Sequence, residues 1–173
     1  MRLFLILTVL VLAGFCPLAR ADDTLMNKPA PALVITKFDG TTFDLAALKG
    51  KVVIINFWAT WCPSCQEELS ILRRFYRLYH KHGLELLEIS VDKPRVRESA
   101  RMLMQEYFLP AAIIHDAKIN DFQPTGSLPT TYLIDADGIV RAISLNPLTQ
   151  PDLERGVLPW LLKIREKKPR EQL

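Results

Sequence analysis

The chain has 173 residues, of which 49% are hydrophobic and 24% charged. This composition fits one compact domain and excludes disordered, collagen-like and repeat-built proteins. Its net charge is +3, but without Arg2 and Arg20, which lie in a predicted targeting segment, 20 basic residues face 19 acidic ones. Because the rest of the chain is close to neutral, there is no electrostatic reason to expect nucleic acid as a partner.

The amino-terminal segment, residues 1–21, has the pattern of a signal peptide. Residues 3–19 are almost wholly apolar, and Ala19-Arg20-Ala21 has the small-x-small pattern of a signal-peptidase site. Cleavage there predicts a mature domain of residues 22–173 that has lost Cys16. An uncleaved membrane anchor is the alternative, because a run of about 17 apolar residues is at the short end of what spans a bilayer. Both cases predict delivery to an oxidising compartment outside the cytoplasm, such as the periplasm.

The first predicted elements are a hairpin, a helical turn and a buried strand. Residues 33–38 and 41–43 flank Asp39-Gly40, a strong hairpin signal. A single helical turn is expected over residues 45–48. Residues 51–58 form a continuous β-branched and aromatic run, typical of a central strand that is covered on both faces.

Helices and strands alternate along the rest of the chain. A long helix is expected from Pro63 to His82, because apolar residues recur there at helical spacing and Gly83 supplies a stop signal. The later predicted elements are a strand over 84–91, a helix over 96–107, a short strand over 111–114, a hairpin of 130–134 with 139–145, and a helix over 151–167. This order predicts one α/β domain with a central mixed β-sheet flanked by helices and an amino-terminal β-hairpin extension.

Two cysteines lie where the predicted central strand turns into the long helix. Cys62 falls at the helix amino terminus, where unsatisfied N–H groups stabilise a thiolate. A two-residue spacing allows Cys62 and Cys65 to form and open a disulfide within one helical turn. Cys62 is therefore expected to attack a partner disulfide, and Cys65 to resolve the mixed disulfide from the more buried side.

Three other interpretations of the pair are weaker. Zinc needs about four ligands, and neither a further cysteine nor suitably spaced histidines complete such a set. Covalent haem requires a histidine directly after the second cysteine, where this chain has Gln66. A purely structural disulfide would close too short a loop to add much stability. No metal or other cofactor is expected.

Around this motif the chain resembles the thioredoxin superfamily, and within it the exported TlpA-like thiol-disulfide oxidoreductases. That branch includes the ResA and CcmG reductases of cytochrome c maturation. The matching stretches are residues 48–65, which contain Trp61-Cys62-Pro63-Ser64-Cys65, and residues 128–135, which begin Leu128-Pro129-Thr130-Thr131. The likeness covers nearly all of the chain after residue 25 and implies a thioredoxin-like fold.

The resemblance also implies roles for single residues. Cys62 and Cys65 match the nucleophile and the resolving cysteine, and Pro129 matches a cis-proline that sits against the disulfide. The backbone at Leu128 is then expected to pair with an extended substrate. Trp61, which offers an apolar landing surface, and Pro63 complete the expected substrate-binding set.

Glu68 matches an acidic residue that this branch places three positions after the second cysteine. The resemblance implies proton transfer between Glu68 and Cys65. The alternative is an ordinary exposed helix carboxylate like its neighbour Glu67. Thioredoxins carry a buried acid on the preceding strand where this chain has Asn56, which shifts the expected acid-base work to Glu68. The family helix often has a proline at the position of Ser70, so a straighter helix is expected here.

The expected activity is reduction of disulfides in other exported proteins by dithiol-disulfide exchange. In an oxidising compartment, the cysteine pair of a reductase must be reduced again by an electron donor. The resemblance implies a membrane thiol-relay donor of the DsbD or CcdA kind. It also favours apocytochrome c as substrate. One alternative is a disulfide donor, and another is a redoxin-type thiol peroxidase. The peroxidase normally has threonine three residues before its cysteine, where this chain has Ala59. A third is a non-catalytic binding module, and the presence of both cysteines is evidence against it.

Overall fold

A computed structural model describes residues 25–122 and 126–167. The predicted signal peptide, with Cys16, lies outside the described residues. The elements in chain order are β1 (Leu33–Lys37), β2 (Thr42–Asp44), β3 (Val52–Trp58), α1 (Pro63–Tyr79), β4 (Leu84–Ser90), α2 (Arg97–Tyr107), β5 (Ala111–Asn120), β6 (Thr130–Ile134), β7 (Val140–Ser144) and α3 (Gln150–Lys167). Short 3-10 turns add Leu45–Leu48, His80–His82 and Pro94–Val96. None of the helices in these ranges is long and apolar enough to cross a membrane.

The strands form one mixed sheet in the order β2-β1-β5-β4-β3-β6-β7. Strand β4 runs parallel to both β3 and β5, whereas β6 is antiparallel to β3 and β7 is antiparallel to β6. The antiparallel hairpin β1-β2 joins the sheet through β5. The predicted mixed sheet, flanking helices and amino-terminal hairpin are therefore confirmed.

Strand β3 occupies the middle of the fold, and all seven of its residues are buried. Val52 and Ile54 belong to a core cluster that contains the buried side chains of α1, α2 and α3. The alternate residues Val53 and Ile55 belong to a second cluster with residues of β1, β2 and Phe122. Burial on both sides explains why this strand is apolar without alternation.

The prediction of a short strand over 111–114 was wrong about its length, because β5 continues to Asn120. The extension is held by antiparallel pairing with β1, which places Leu33 opposite Asn120 and Val34 opposite Ile119. Its side chains are largely half-buried or exposed, so it lacks the apolar pattern that marks the other strands.

Helix α1 carries Cys65 of the cysteine motif, and a proline and a glycine mark where it begins and where the chain turns after it. Pro63 occupies its first turn, where a missing N–H costs nothing. Its buried residues Cys65, Leu69 and Leu72 follow helical spacing. After the 3-10 turn that extends it, Gly83 adopts a φ of 99°, which favours glycine and allows the chain to turn into β4.

Candidate active site

The two cysteines lie between the carboxyl end of β3 and the first turn of α1, where they form a disulfide with a Cα–Cα distance of 5.3 Å. Cys62 caps the helix, and its Sγ accepts a hydrogen bond from the Cys65 backbone N–H at 3.2 Å. Cys65 is 0% exposed and Cys62 is 5% exposed. The sulfur that a partner reaches first is therefore that of Cys62, and its role as nucleophile stays a prediction.

An exposed aromatic ring and a cis peptide bond accompany the disulfide. Trp61 is 68% exposed directly beside Cys62, and Pro63 on its other side is also exposed. The Leu128–Pro129 peptide bond is cis, as the family resemblance implies. Leu128 is half-buried and packs against the core cluster that contains both cysteines. The substrate-binding roles of these four residues stay predictions.

Glu68 is buried in α1, one turn after Cys65, with 1% of its surface exposed. Its Oε1 accepts a hydrogen bond from Asn56 Nδ2 at 2.8 Å, and its Oε2 accepts one from the Leu148 backbone N–H at 2.6 Å. Burial raises the pKa of Glu68 to about 7, although these two donors favour the ionised form. The alternative of an ordinary exposed carboxylate describes Glu67, not Glu68.

Asn56 connects Glu68 to two residues that the sequence interpretation missed. Its Nδ2 also donates to Glu88 Oε2 at 2.9 Å, and its Oδ1 accepts from Thr131 Oγ1 at 3.1 Å. Glu88 and Thr131 are the register partners of Asn56 on β4 and β6. A glutamate inside the apolar run of β4 was the available signal, but only the strand register places it beside Asn56.

A third residue missed from the sequence, Asp92, fixes the turn that precedes the cysteines. It is 2% exposed and accepts hydrogen bonds from the Thr60 backbone N–H and Thr60 Oγ1, both at 2.9 Å. A third donor is Ser90 Oγ, at 2.8 Å. Asp92 thereby holds the backbone two residues before Cys62 against the end of β4.

The Asp92→Ala variant is expected to lower the free energy of unfolding by about 3 kcal/mol, because it leaves the partly buried donors of Thr60 and the buried Ser90 hydroxyl without their acceptor. Chemical denaturation of the oxidised protein measures this loss. The control Glu67→Ala, which changes an exposed acid on α1, is expected to stay within about 0.5 kcal/mol of the parent. Equal effects of the two variants would contradict the anchoring role of Asp92.

The arrangement suits exchange between a dithiol and a disulfide. One sulfur is accessible at a helix amino terminus, where the backbone N–H groups stabilise its thiolate. The second sulfur is buried on the helix face that also carries a carboxyl group with a midpoint near neutrality. Within the described ranges, no group of three or more His, Cys, Asp or Glu residues is placed to hold a metal ion.

Comparisons with known proteins agree with this chemistry. A family model described as AhpC/TSA family matches residues 26–143. Thiol-disulfide oxidoreductase ResA of Geobacillus kaustophilus is 34% identical over 133 residues, which cover 75% of each chain. The protein of the same name from Bacillus cereus strain ZK / E33L is 31% identical and covers 88% of this chain and 92% of its own.

A solved structure gives the same result for the fold. It is a thiol:disulfide interchange protein of the thioredoxin family from Chlorobium tepidum TLS, with a TM-score of 0.63 and 29% sequence identity. The match covers 77% of this chain and 95% of that one. The chain therefore belongs to the AhpC/TSA family and is a ResA-type thiol-disulfide oxidoreductase of the thioredoxin superfamily, with Cys62 and Cys65 as its cysteine pair.

Proposed function

We propose that this oxidoreductase works as a reductase of disulfides in exported proteins, with oxidised apocytochrome c as its favoured substrate. The observation that carries the proposal is Glu68, a buried carboxyl group on the same helix face as Cys65 with a pKa near neutrality. A reductase finishes its cycle by ionising the buried cysteine, and Glu68 is the group that accepts that proton.

The reaction proceeds in two exchange steps. The Cys62 thiolate attacks one sulfur of the substrate disulfide, so that a mixed disulfide forms and the other substrate sulfur leaves as a thiolate. Glu68 then takes the proton of Cys65, whose thiolate attacks Cys62 Sγ. The Cys62–Cys65 disulfide forms, and the second substrate sulfur leaves. Two electrons pass from the enzyme dithiol to the substrate, which ends as a dithiol after protonation.

The location and the electron donor complete the proposal. The apolar run of residues 3–19 and the small-x-small site after it support export, with or without anchoring to the membrane. Each cycle of substrate reduction leaves Cys62 and Cys65 as a disulfide, and an oxidising compartment does not reduce it again, so the enzyme needs a source of electrons. A membrane thiol-relay protein of the DsbD or CcdA kind fits this requirement by its chemistry.

The disulfide donor is the second candidate, because thiol-disulfide exchange is reversible and the helix amino terminus also stabilises Cys62 as a leaving thiolate. The peroxidase has less support. The residue three positions before Cys62 is Ala59, which has no hydroxyl group to offer a peroxide.

A peptide assay tests substrate class and direction together. The reduced enzyme is mixed with an oxidised Cys-x-x-Cys-His peptide, and free thiols on the peptide are counted over time. A matched Cys-x-x-Cys-Ala peptide shows whether the histidine of the haem-attachment motif contributes. Rapid reduction of the first peptide supports the proposal. Failure to reduce it, together with oxidation of the reduced peptide by the disulfide form, would favour the disulfide donor.

The Trp61→Ala variant is expected to lower kcat/KM for the oxidised peptide by about tenfold, because it removes an exposed aromatic contact next to Cys62. The rate at which dithiothreitol reduces the enzyme itself is expected to change little, because so small a molecule does not bind to the Trp61 side chain. The control is Phe108→Ala, which removes a ring that is 75% exposed at the end of α2. Similar losses in both variants would argue against substrate binding at Trp61.

A further inference from the structure

A second carboxyl group shares the amide of Asn56 with Glu68. Glu88 on β4 is 0% exposed, and its Oε2 accepts a hydrogen bond from the same Nδ2 atom that donates to Glu68. Within the described ranges its Oε1 has no hydrogen-bond partner. The exchange reaction described above makes no use of this buried acid.

The two carboxyl groups differ in how well their surroundings support a negative charge. Glu68 accepts hydrogen bonds from two donors, Asn56 Nδ2 and the Leu148 N–H, whereas among the residues that the structure describes Glu88 accepts one, from Asn56. Hydrogen bonds to an ionised carboxylate favour that form. Of the two groups, Glu68 is therefore the one whose ionised form is better stabilised.

The groups around Glu88 supply no compensating charge. Strand β3 presents the neutral Asn56, and the register partner on β5 is Ala111. The buried residues of α2 are Ala100 and Met104, and those that α3 adds to the same core cluster are Leu153, Val157 and Leu161. On α1 the charged group that acts on Glu88 is Glu68, which is of like sign. Two carboxylates on one buried amide nitrogen would repel each other, so the pair retains a proton.

We propose that Glu88 is a positioning residue of the exchange reaction: it keeps its proton at neutral pH, holds the Asn56 amide on Glu68, and leaves Glu68 as the carboxyl that ionises. Burial and the charge of Glu68 raise the pKa of Glu88 well above its ordinary value, in support of this assignment. The inference deepens the proposed function, because it rests on Glu68 as the proton acceptor of Cys65.

Carboxyl-carbon NMR tests the protonation state of Glu88 and needs no measurement of activity. The sample is the oxidised full chain, labelled with carbon-13 at the glutamate side chains. The Glu88 resonance is expected to stay at the position of a protonated acid while that of Glu68 moves with a midpoint near 7. The Glu88→Gln variant assigns the resonance. In Glu68→Gln the midpoint of Glu88 is expected to fall, because its like-charged neighbour is gone.

A Glu88 that is ionised at neutral pH in the parent protein, or that ionises before Glu68 does, would overturn the proposal, and this result needs no variant to fold. An unchanged Glu88 midpoint in Glu68→Gln would overturn the coupling between the two groups. Because Glu88 is read in the oxidised protein, these outcomes are independent of the catalytic role of Glu68. If Glu68→Gln leaves the pH profile of exchange unaltered, the proposed mechanism fails separately.

The pH profile of peptide reduction tests the positioning itself. Glu88→Gln keeps an acceptor for the Asn56 amide, so the midpoint of the profile is expected to stay near that of the parent. Glu88→Leu fills a similar buried volume but removes the acceptor, which frees Asn56 to turn away from Glu68. The midpoint is then expected to rise by about one pH unit. Identical profiles for both variants and the parent would show that Glu88 does not position Asn56.

Discussion

Replacing Cys65 with serine is expected to stop turnover and to trap the enzyme as a mixed disulfide with its substrate. Cys62, the more accessible of the two cysteines, keeps its position at the helix amino terminus and still attacks, but no second sulfur remains to release it. The Cys62→Ser variant is expected to form no adduct, because the sulfur that remains is fully buried. Each variant is expected to lose at least about 10³-fold in peptide reduction, as enzymes do when they lose a nucleophile.

Non-reducing gels and intact mass spectrometry measure the trapped adduct directly. The control is Ser64→Ala, whose hydroxyl lies 3.5 Å from Cys62 Sγ and makes at most a weak contact. It is expected to change the rate by less than about threefold. An adduct that forms in Cys62→Ser but not in Cys65→Ser would reverse the assignment of the two cysteines.

The second large effect is expected from Glu68→Gln. In the proposed mechanism the carboxylate of Glu68 accepts the Cys65 proton, so resolution of the mixed disulfide should become faster as pH rises through about 7, where Glu68 loses its own proton. The amide cannot accept that proton, and the rise should disappear. At about pH 8 the expected loss is about 10- to 100-fold, at or below the lower end of the usual range for acid-base catalysis.

Stopped-flow measurement of Trp61 and Trp58 fluorescence during exchange, repeated across pH, gives this profile. The matched control is Glu67→Gln, which makes the same chemical change on the exposed face of α1 and should leave the profile as it is in the parent. A Glu68→Gln variant with an unchanged midpoint would show that another group accepts the proton of Cys65.

The sequence predicted those parts of the fold and site that depend on local patterns. The apolar run of β3, the helical spacing of α1 and the position of Cys62 between them are contiguous in the chain, and all three were confirmed. The cis peptide bond before Pro129 agrees with the family resemblance. No local sequence pattern predicts a cis bond at this position.

The missed residues depend on contacts between distant parts of the chain. Glu88 lies beside Asn56 only because β3 and β4 pair in one particular parallel register, which the composition of neither strand specifies. Asp92 lies two residues after β4, outside every predicted element, yet its carboxylate accepts hydrogen bonds from Thr60, which follows β3. The polar end of β5 has no strand pattern and is held by its pairing with β1.

The central strand β3 carries no acidic residue, and at the centre of this site it presents the amide of Asn56. The amide there carries no charge, and the carboxyl groups approach it from α1 and β4. The group that ionises near neutrality, Glu68, therefore belongs to the helix that carries both cysteines.

The most direct test of the central claim is the equilibrium reduction potential of the Cys62–Cys65 pair, from titration against defined ratios of reduced and oxidised glutathione or dithiothreitol. A reductase is predicted to have a value of about −220 mV or lower, toward that of thioredoxin. A value near about −120 mV, which is typical of a strong oxidant, would contradict the account and make this protein a disulfide donor.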